Sequence, residues 1–320
     1  MGIAGAIFAL TDSFLALVLA ALTGTLSTDA NESGPITSLE QAMMGAAPPD
    51  ERAKVFGRYN AVAYLTGSFG ALAAGGPAFF RRVLPHLPAN QRFLLAFPVV
   101  SIAAVLVARR LSPAMESHHA PVAGRALQRS RSTVFRLSAL FAVDSFAGGF
   151  VVQSFLAFWF ARRYGASLET MSLVFFVSGL LQAASSMLAG RVARRFGLLN
   201  TMVFTHLPSN LFLALIPFSP SLIGAVVLLF ARVSTSQMDV PARQAYVVAL
   251  VDPSERTAAA ATTNTARYLS RPLGPTVATA LMRTSLGAPF VAAGALKAAY
   301  DLALYFTFRR VRLPEDEAAP

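Results

Sequence analysis

The sequence predicts an all-α membrane protein with about ten transmembrane helices in two bundles, the first of which is incomplete. Three observations lead to this prediction. Hydrophobic residues make up 55% of the 320, charged residues only 13%, and mean hydropathy is +0.54, whereas soluble domains contain roughly 25% charged residues. Several apolar runs approach the roughly 20 residues that a helix needs to cross the hydrocarbon core. Finally, one charged segment occurs twice in nearly the same letters.

Apolar runs follow one another along the whole chain, separated by short polar loops. Two connections are longer, 29–55 and 109–135. The second is polar, basic and interrupted by proline, which predicts a linker between an N-terminal bundle at 1–108 and a six-helix bundle at 136–308, followed by a tail at 309–320. The predicted spans are 3–10, 14–28, 56–76, 93–108, 137–160, 170–190, 198–218, 221–236, 257–282 and 287–307.

The basic residues are divided unevenly between alternate loops, and this predicts the orientation of the chain. By the positive-inside bias, the side with more Lys and Arg faces the cytoplasm, so the linker and the tail are predicted to be cytoplasmic in a plasma (inner) membrane. This placement also explains the net charge of +11 without nucleic-acid binding. The richer side holds Arg52, Lys54, Arg58, Arg109, Arg110, Arg125, Arg129, Arg131, Arg136, Arg191, Arg194, Arg195, Arg232, Arg243, Arg256, Arg309, Arg310 and Arg312. The poorer side holds Arg81, Arg82, Arg92, Arg162, Arg163 and Arg283.

The repeated segment reads PPDERAKVFGRYNAVAYL at 48–65 and DPSERTAAAATTNTARYL at 252–269. Each copy opens a transmembrane helix on the same predicted side and follows a Gln-Ala pair. The two halves are therefore predicted to be parallel repeats, related by an axis along the membrane normal. An offset of 204 positions aligns Glu51 with Glu255, Arg52 with Arg256, Asn60 with Asn264, Tyr64 with Tyr268 and Gly70 with Gly274.

These features resemble the major facilitator superfamily, whose fold is two six-helix bundles around a central cavity. The segment LAGRVARRFG, 188–197, is similar to a loop signature of that family at Gly190, Arg195 and Gly197, although Arg194 stands where the family has an acidic residue. The resemblance implies a secondary transporter of a small solute, working by alternating access as a proton-coupled exporter. It also implies conformational roles for the charged loop residues Glu51, Arg52, Glu255 and Arg256.

The repeat also predicts that the first bundle extends upstream of Met1. If the second bundle begins near residue 134, its counterpart would begin about 70 residues before the first residue given. The run at 3–10 is likewise about half the length that a span requires. The alternative interpretation is a non-transporting or truncated membrane protein, acting as a receptor or binding module or persisting as an inactive fragment.

Polar side chains at membrane depth are costly, so they are the candidates for a substrate and coupling pathway. His206 and Asn210 are four residues apart and share a helix face, and His206 is interpreted either as a packing residue or as a titrating group. Lys297 and Asp301 have the same spacing and are predicted to form an intramembrane ion pair. The other candidates are Asp144, Gln153, Gln182, Asn264, Arg267 and Arg271.

Arg267 is the candidate with the most specific expected role. It lies about three turns into the segment that opens at Arg256, on the same helix face as Asn264 and Arg271. We expect it to face the space between the bundles and to bind either Asp144 or an anionic part of the substrate. The alternative is that both arginines reach the cytoplasmic headgroups.

The sequence offers no set of residues for enzymatic chemistry. Cysteine is absent, which excludes disulfides and a cysteine nucleophile. No metal cluster, glycine-rich phosphate loop or nucleophile arrangement is present, so neither a cofactor nor a metal is expected. The expected partners are a small-molecule substrate, protons and membrane lipids, with the protein acting as a monomer and not binding nucleic acid.

Overall fold

The computed structural model describes residues 2–22, 35–76, 90–110, 127–311 and 313. Within these residues the regular elements are α-helices and short 3₁₀ turns, as the composition predicts. The first part of the chain forms α1 (Gly2–Leu10), α2 (Phe14–Leu22), α3 (Pro35–Met44), α4 (Pro49–Ala74) and, after a 3₁₀ turn at Asn90–Leu95, α5 (Ala96–Ala108).

The second part of the chain contains the longer helices. Four segments here are long and apolar enough to cross a membrane: 131–164, 168–196, 198–218 and 222–249. The helices are α6 (Arg131–Gly148), α7 (Gln153–Tyr164), α8 (Leu168–Phe196), α9 (Leu198–Leu215), α10 (Leu222–Ser236), α11 (Asp239–Ala249), α12 (Arg256–Ser270), α13 (Gly274–Met282) and α14 (Ala288–Phe308).

Helices occur in two stretches that were predicted as connections. The connection predicted at 29–55 contains α3, and the residues after the span predicted at 221–236 form α11, which follows α10 after a turn at 237–238 and extends the membrane-crossing segment to Ala249. Hydropathy is low where a helix turns polar side chains toward other helices, so these two helices were not predicted. Arg232 lies in α10 and Arg243 in α11, so neither lies in a loop. Without these two residues, the basic bias keeps its direction.

Two predicted spans are each interrupted by one 3₁₀ turn. The span at 137–160 breaks at Gly149–Val151, and the span at 257–282 breaks at Arg271–Leu273, where Pro272 has no amide proton to continue the helix. The two breaks touch each other. A Cβ at Gly149 would lie 2.4 Å from the carbonyl oxygen of Arg271, and a Cβ at Gly274 would lie 2.5 Å from the Cα of Gly149.

The second part of the chain packs around two apolar clusters. One surrounds Trp159, Phe160 and Phe290 at the end where α7 meets α14, and the other surrounds Phe141 and Leu304 at the opposite end of α6. Helix α9 packs along α14, and α6 packs along α12. Large apolar side chains such as Ile223 on α10 remain exposed, as expected for helices whose outer face meets lipid.

The two repeats contact each other along several helices. Helix α4 packs along α8, α11 packs against α4, and α3 packs against α12. The α4–α8 contact is close because small residues face each other. A Cβ at Gly57 would lie 2.4 Å from the Ser186 carbonyl oxygen, and a Cβ at Gly190 would lie 2.8 Å from the Cα of Lys54.

Parts of the sequence-based predictions fall outside the described residues. They include 23–28 of the predicted span 14–28, 29–34 of the predicted connection 29–55, the loop residues Arg81 and Arg82, 111–126 of the predicted linker with Arg125, and most of the predicted tail with Arg312.

Candidate functional site

A buried ion pair joins two helices of the second repeat. Lys297 of α14 donates a hydrogen bond to Asp144 of α6, with 2.5 Å between Nζ and Oδ1. Both side chains are buried. Because an isolated charge is costly at this depth, each charge offsets part of the free-energy cost of burying the other.

The pairing predicted between Lys297 and Asp301 is therefore wrong. Asp301, which is 1% exposed, is instead bound by two side chains of α9. His206 Nδ1 lies 2.9 Å from Oδ1, and the amide of Asn210 donates to Oδ2 at 2.7 Å. The spacing of four residues does put Lys297 and Asp301 on one face of α14, but their partners come from different neighbouring helices.

Arg243 and a third buried carboxylate, Asp239, complete this cluster, and the sequence analysis missed both as interior residues. Arg243 Nη1 of α11 lies 3.5 Å from Asp144 and 3.6 Å from Asp239, and its guanidinium stands 5.5 Å from the centre of the Phe141 ring. Asp239 and Arg243 are both buried. The spacing of four residues between Asp239 and Arg243 could have indicated this pair, but the predicted span ended at residue 236, before both residues.

The remaining pathway candidates lie on other parts of the second repeat. Both carboxylate oxygens of Asp144 have cationic partners, Lys297 of α14 and Arg243 of α11, whereas the sequence analysis gave Arg267 as a partner for Asp144 or for an anionic part of the substrate. Arg267 is partly buried, and its carbonyl accepts a hydrogen bond from the Ser145 hydroxyl at 3.0 Å. Arg271 lies in the 3₁₀ turn after α12, Gln153 is exposed at the start of α7, and Gln182 is partly buried on α8.

The two repeats are joined by amide contacts that cross between them. Asn60 of α4 donates to the side chain of Gln244 on α11 at 2.7 Å, while Asn264 of α12 donates to the side chain of Gln41 on α3 at 3.2 Å. Asn60 and Asn264 are repeat partners, and each binds a glutamine of the other repeat. We call this set, with Tyr64 and Gln237 at 2.5 Å, the crossed amide contacts.

The repeated arginines hold the ends of the helices that carry these glutamines. Arg52 Nε donates to the carbonyls of Gly45 and Ala47, both at 2.9 Å, just after α3 ends. Arg256 donates to the carbonyl of Val248 near the end of α11 at 3.1 Å and also reaches Gly45 at 2.9 Å. The two arginines thus stabilise helix C-termini in equivalent places, and Arg256 also links the two repeats.

The repeated glutamates have different partners. Glu255 accepts hydrogen bonds from the backbone amides of Gln128, Arg129 and Ser130, at 2.7 to 3.1 Å, at the start of α6. Burial opposes ionisation of this carboxylate, but these bonds prevail and lower the pKa of Glu255 below its ordinary value. Glu51 instead binds Lys54 at 2.8 Å, and that hydrogen bond lowers the pKa of Glu51.

The loop-signature residues Gly190, Arg195 and Gly197 lie in three different environments. Gly190 is buried where α8 approaches α4. Arg195 is exposed and its guanidinium stands 5.5 Å from the Phe196 ring centre. Gly197 separates α8 from α9 with φ of 82°, a backbone conformation that favours glycine.

Comparisons with known proteins are consistent with this architecture. The sequence matches the profile of the Major Facilitator Superfamily over residues 1–275 and again over 138–320. An uncharacterized membrane protein of Saccharomyces cerevisiae, YJR124C, is 23% identical over 349 aligned positions, covering 96% of this chain and 77% of that protein. The fold is similar to the crystal structure of the human organic anion transporter MFSD10 (TETRAN), with a TM-score of 0.66 and 19% identity, covering 95% of this chain and 74% of that one.

Proposed function

This chain belongs to the major facilitator superfamily, and from that premise we propose that it is a proton-coupled secondary transporter that exports a small solute by alternating access. The chain is an integral membrane transporter and not an enzyme. The observation that carries the proposal is the buried His206–Asp301–Asn210 group beside the Asp144–Lys297 pair. Titratable side chains at such depth cost free energy, and they persist mainly where they serve a function such as transport.

The two parts of the polar interior have different roles in this proposal. The crossed amide contacts close the side predicted to be cytoplasmic, and they separate when the protein opens there. His206 and Asp301, whose side chains lie 2.9 Å apart in the interior, hold the transported proton. Arg267, Arg271 and Gln182 contribute to the solute pathway.

The proposal is tested by reconstituting the full chain in liposomes that enclose a pH-sensitive dye. Addition of a transported solute should change the internal pH, and an imposed proton gradient should drive solute accumulation. Asp301→Asn and His206→Gln should abolish accumulation against a gradient while leaving solute exchange measurable. Each variant's folding is checked by its chromatographic profile in detergent.

Two outcomes contradict the proposal in different ways. Solute flux that never alters internal pH, for wild type and variants alike, would exclude proton coupling. No flux of any tested solute by folded protein would favour the alternative of a non-transporting membrane protein. A cysteine at Arg310, which is exposed, is expected to resist an impermeant thiol reagent in intact cells, and rapid labelling there would reverse the assumed orientation.

A further inference from the structure

Arg232 is a cation at membrane depth that takes no part in the ion cluster. It lies in α10, ten residues after Leu222 and four before Ser236, within the membrane-crossing segment Leu222–Ala249 that continues as α11 after a turn at 237–238. At about 1.5 Å per residue, its Cα is roughly 15 Å along the helix from Leu222. This distance is large for a guanidinium to reach the headgroup region on that side by extension of its side chain, and α11 continues the segment on the other side.

The Nε of Arg232 is shielded from solvent without a hydrogen-bond partner, and the residue as a whole is partly buried. Among the described residues, its guanidinium forms no ion pair. The residue's own hydrogen bond is made by its backbone carbonyl, which accepts from the Thr235 hydroxyl at 3.1 Å. The other interior cations differ, because Lys297 binds Asp144, and Arg243 lies close to both Asp144 and Asp239.

The acidic groups of the second repeat are already committed to other partners. Asp144 attracts Arg232 electrostatically, but its two oxygens face Lys297 and Arg243. Asp239 lies next to Arg243, and Asp301 is bound by α9. Within the described part of the chain, Arg232 is therefore a positive charge without a close counter-ion, which is a costly arrangement unless a ligand supplies one.

We propose that Arg232 binds the anionic group of the transported solute, and that the solute is an organic anion such as a carboxylate, sulfonate or phosphate ester. The inference rests on the proposed transport function and extends it to a substrate class. A planar guanidinium presents two parallel N–H groups that match the two oxygens of such an anion. The solute's charge would replace the counter-ion that the protein itself does not provide.

The test measures binding to the purified full-length protein in detergent, by thermal shift, so it does not depend on flux. The probes are benzoate, benzenesulfonate and phenyl phosphate, with neutral benzamide and benzyl alcohol as isosteric controls. At least one anion should raise the unfolding temperature of the wild type, while the neutral probes should not. Arg232→Gln should weaken that binding roughly ten- to a hundredfold, because a charge-assisted hydrogen bond is lost.

Matched variants separate this role from a general effect of charge. Arg232→Lys should recover part of the affinity, since the charge remains without the planar fork. Arg162→Gln, at an exposed position on α7, should bind the anion like wild type. Arg232→Leu without ligand should unfold at the wild-type temperature or higher, because it removes an uncompensated charge.

Three results would overturn the inference. They are the absence of any anion-dependent shift in the wild type, equal anion affinity in Arg232→Gln, and an Arg232→Leu variant that unfolds several degrees lower, which would indicate a structural partner. Anion binding that needs Arg232, without any flux in liposomes, would refute the transport function but not this site. If neutral solutes are transported, and Arg232→Gln transports them as fast as wild type, the transport function is supported and the anion site is refuted.

Discussion

The interior of the second repeat and the contact between the repeats are built from different polar chemistry. The helices of the second repeat are connected by charged groups, whereas the two repeats are joined mainly by neutral amide and hydroxyl groups. The charged contacts are Lys297 with Asp144, Arg243 with Asp144 and Asp239, and His206 with Asp301. The neutral contacts are Asn60 with Gln244, Asn264 with Gln41 and Tyr64 with Gln237.

This difference matches what each contact would have to do in the proposed alternating-access cycle. Removing one partner of a buried ion pair leaves an uncompensated charge and costs about 3–5 kcal/mol. A neutral hydrogen bond has a net value of about 1 kcal/mol, because water or another amide replaces the lost partner. Contacts that persist through the cycle can therefore be charged, and contacts that separate in each cycle are better neutral.

The largest expected effect is on the charged side of this comparison. Lys297→Met should lower the free energy of unfolding by about 3–5 kcal/mol, since Asp144 loses its closest counter-ion. Denaturant unfolding in detergent measures the change. Lys54→Met, which removes a partly exposed pair with Glu51, is the control and should have little effect.

The double variant Asp144→Asn with Lys297→Met sharpens this prediction. It removes both charges, so it should recover part of the stability lost in Lys297→Met. A Lys297→Met variant as stable as wild type would mean that the pair does not hold α6 and α14 together.

A smaller effect is expected between the repeats. The sequence lacks cysteine, so Ser186→Cys provides one reporter in the buried contact of α8 with α4. Adding Asn60→Leu or Asn264→Leu should each speed maleimide labelling of this cysteine about fivefold, as expected for the loss of about 1 kcal/mol. Asn200→Leu, at an exposed site, is the control. Different responses of the two repeat partners would contradict equivalent roles in closing this side.

The smallest effect is expected at Glu255, a buried carboxylate in the turn before α12 that is bound by backbone amides at the start of α6. Glu255→Gln should lower stability by less than about 1 kcal/mol at pH 7, because the amide oxygen of glutamine can still accept from these backbone amides. Since the folded-state pKa is lowered, this contribution is present above the ordinary carboxyl pKa and is lost as pH falls through the lowered value. Unfolding midpoints of wild type and variant should therefore converge once the pH is below the lowered pKa of Glu255. A difference that persists there would assign the effect to the shape of the side chain.

The fold was more predictable than the site. The composition predicted helices, and the repeated sequence identified α4 and α12 as equivalent helices of the two repeats. The match to the family profile confirmed the resemblance. Helices α3 and α11 were not predicted, because both are polar where they face other helices. Hydropathy averages over all faces of a helix and cannot detect this.

The site depended on contacts between residues far apart in the sequence. Spacing of four residues placed His206 beside Asn210 correctly, because that relation lies within one helix. It failed for Lys297, whose partner Asp144 is 153 positions away. The crossed amide contacts had a visible signal, since Asn60 and Asn264 align and a Gln-Ala pair precedes each. The sequence alone does not show whether each asparagine binds the glutamine of its own repeat or the glutamine of the other repeat.

The contact of the two helix breaks constrains how the sequence can vary. Gly149 and Gly274 lie so close that a methyl group on either would overlap the other's backbone. A substitution at one position cannot be accommodated by its own span alone, because the neighbouring span must move as well. Among related proteins the two positions should therefore vary together. Either both are glycine, or both spans follow a different backbone path.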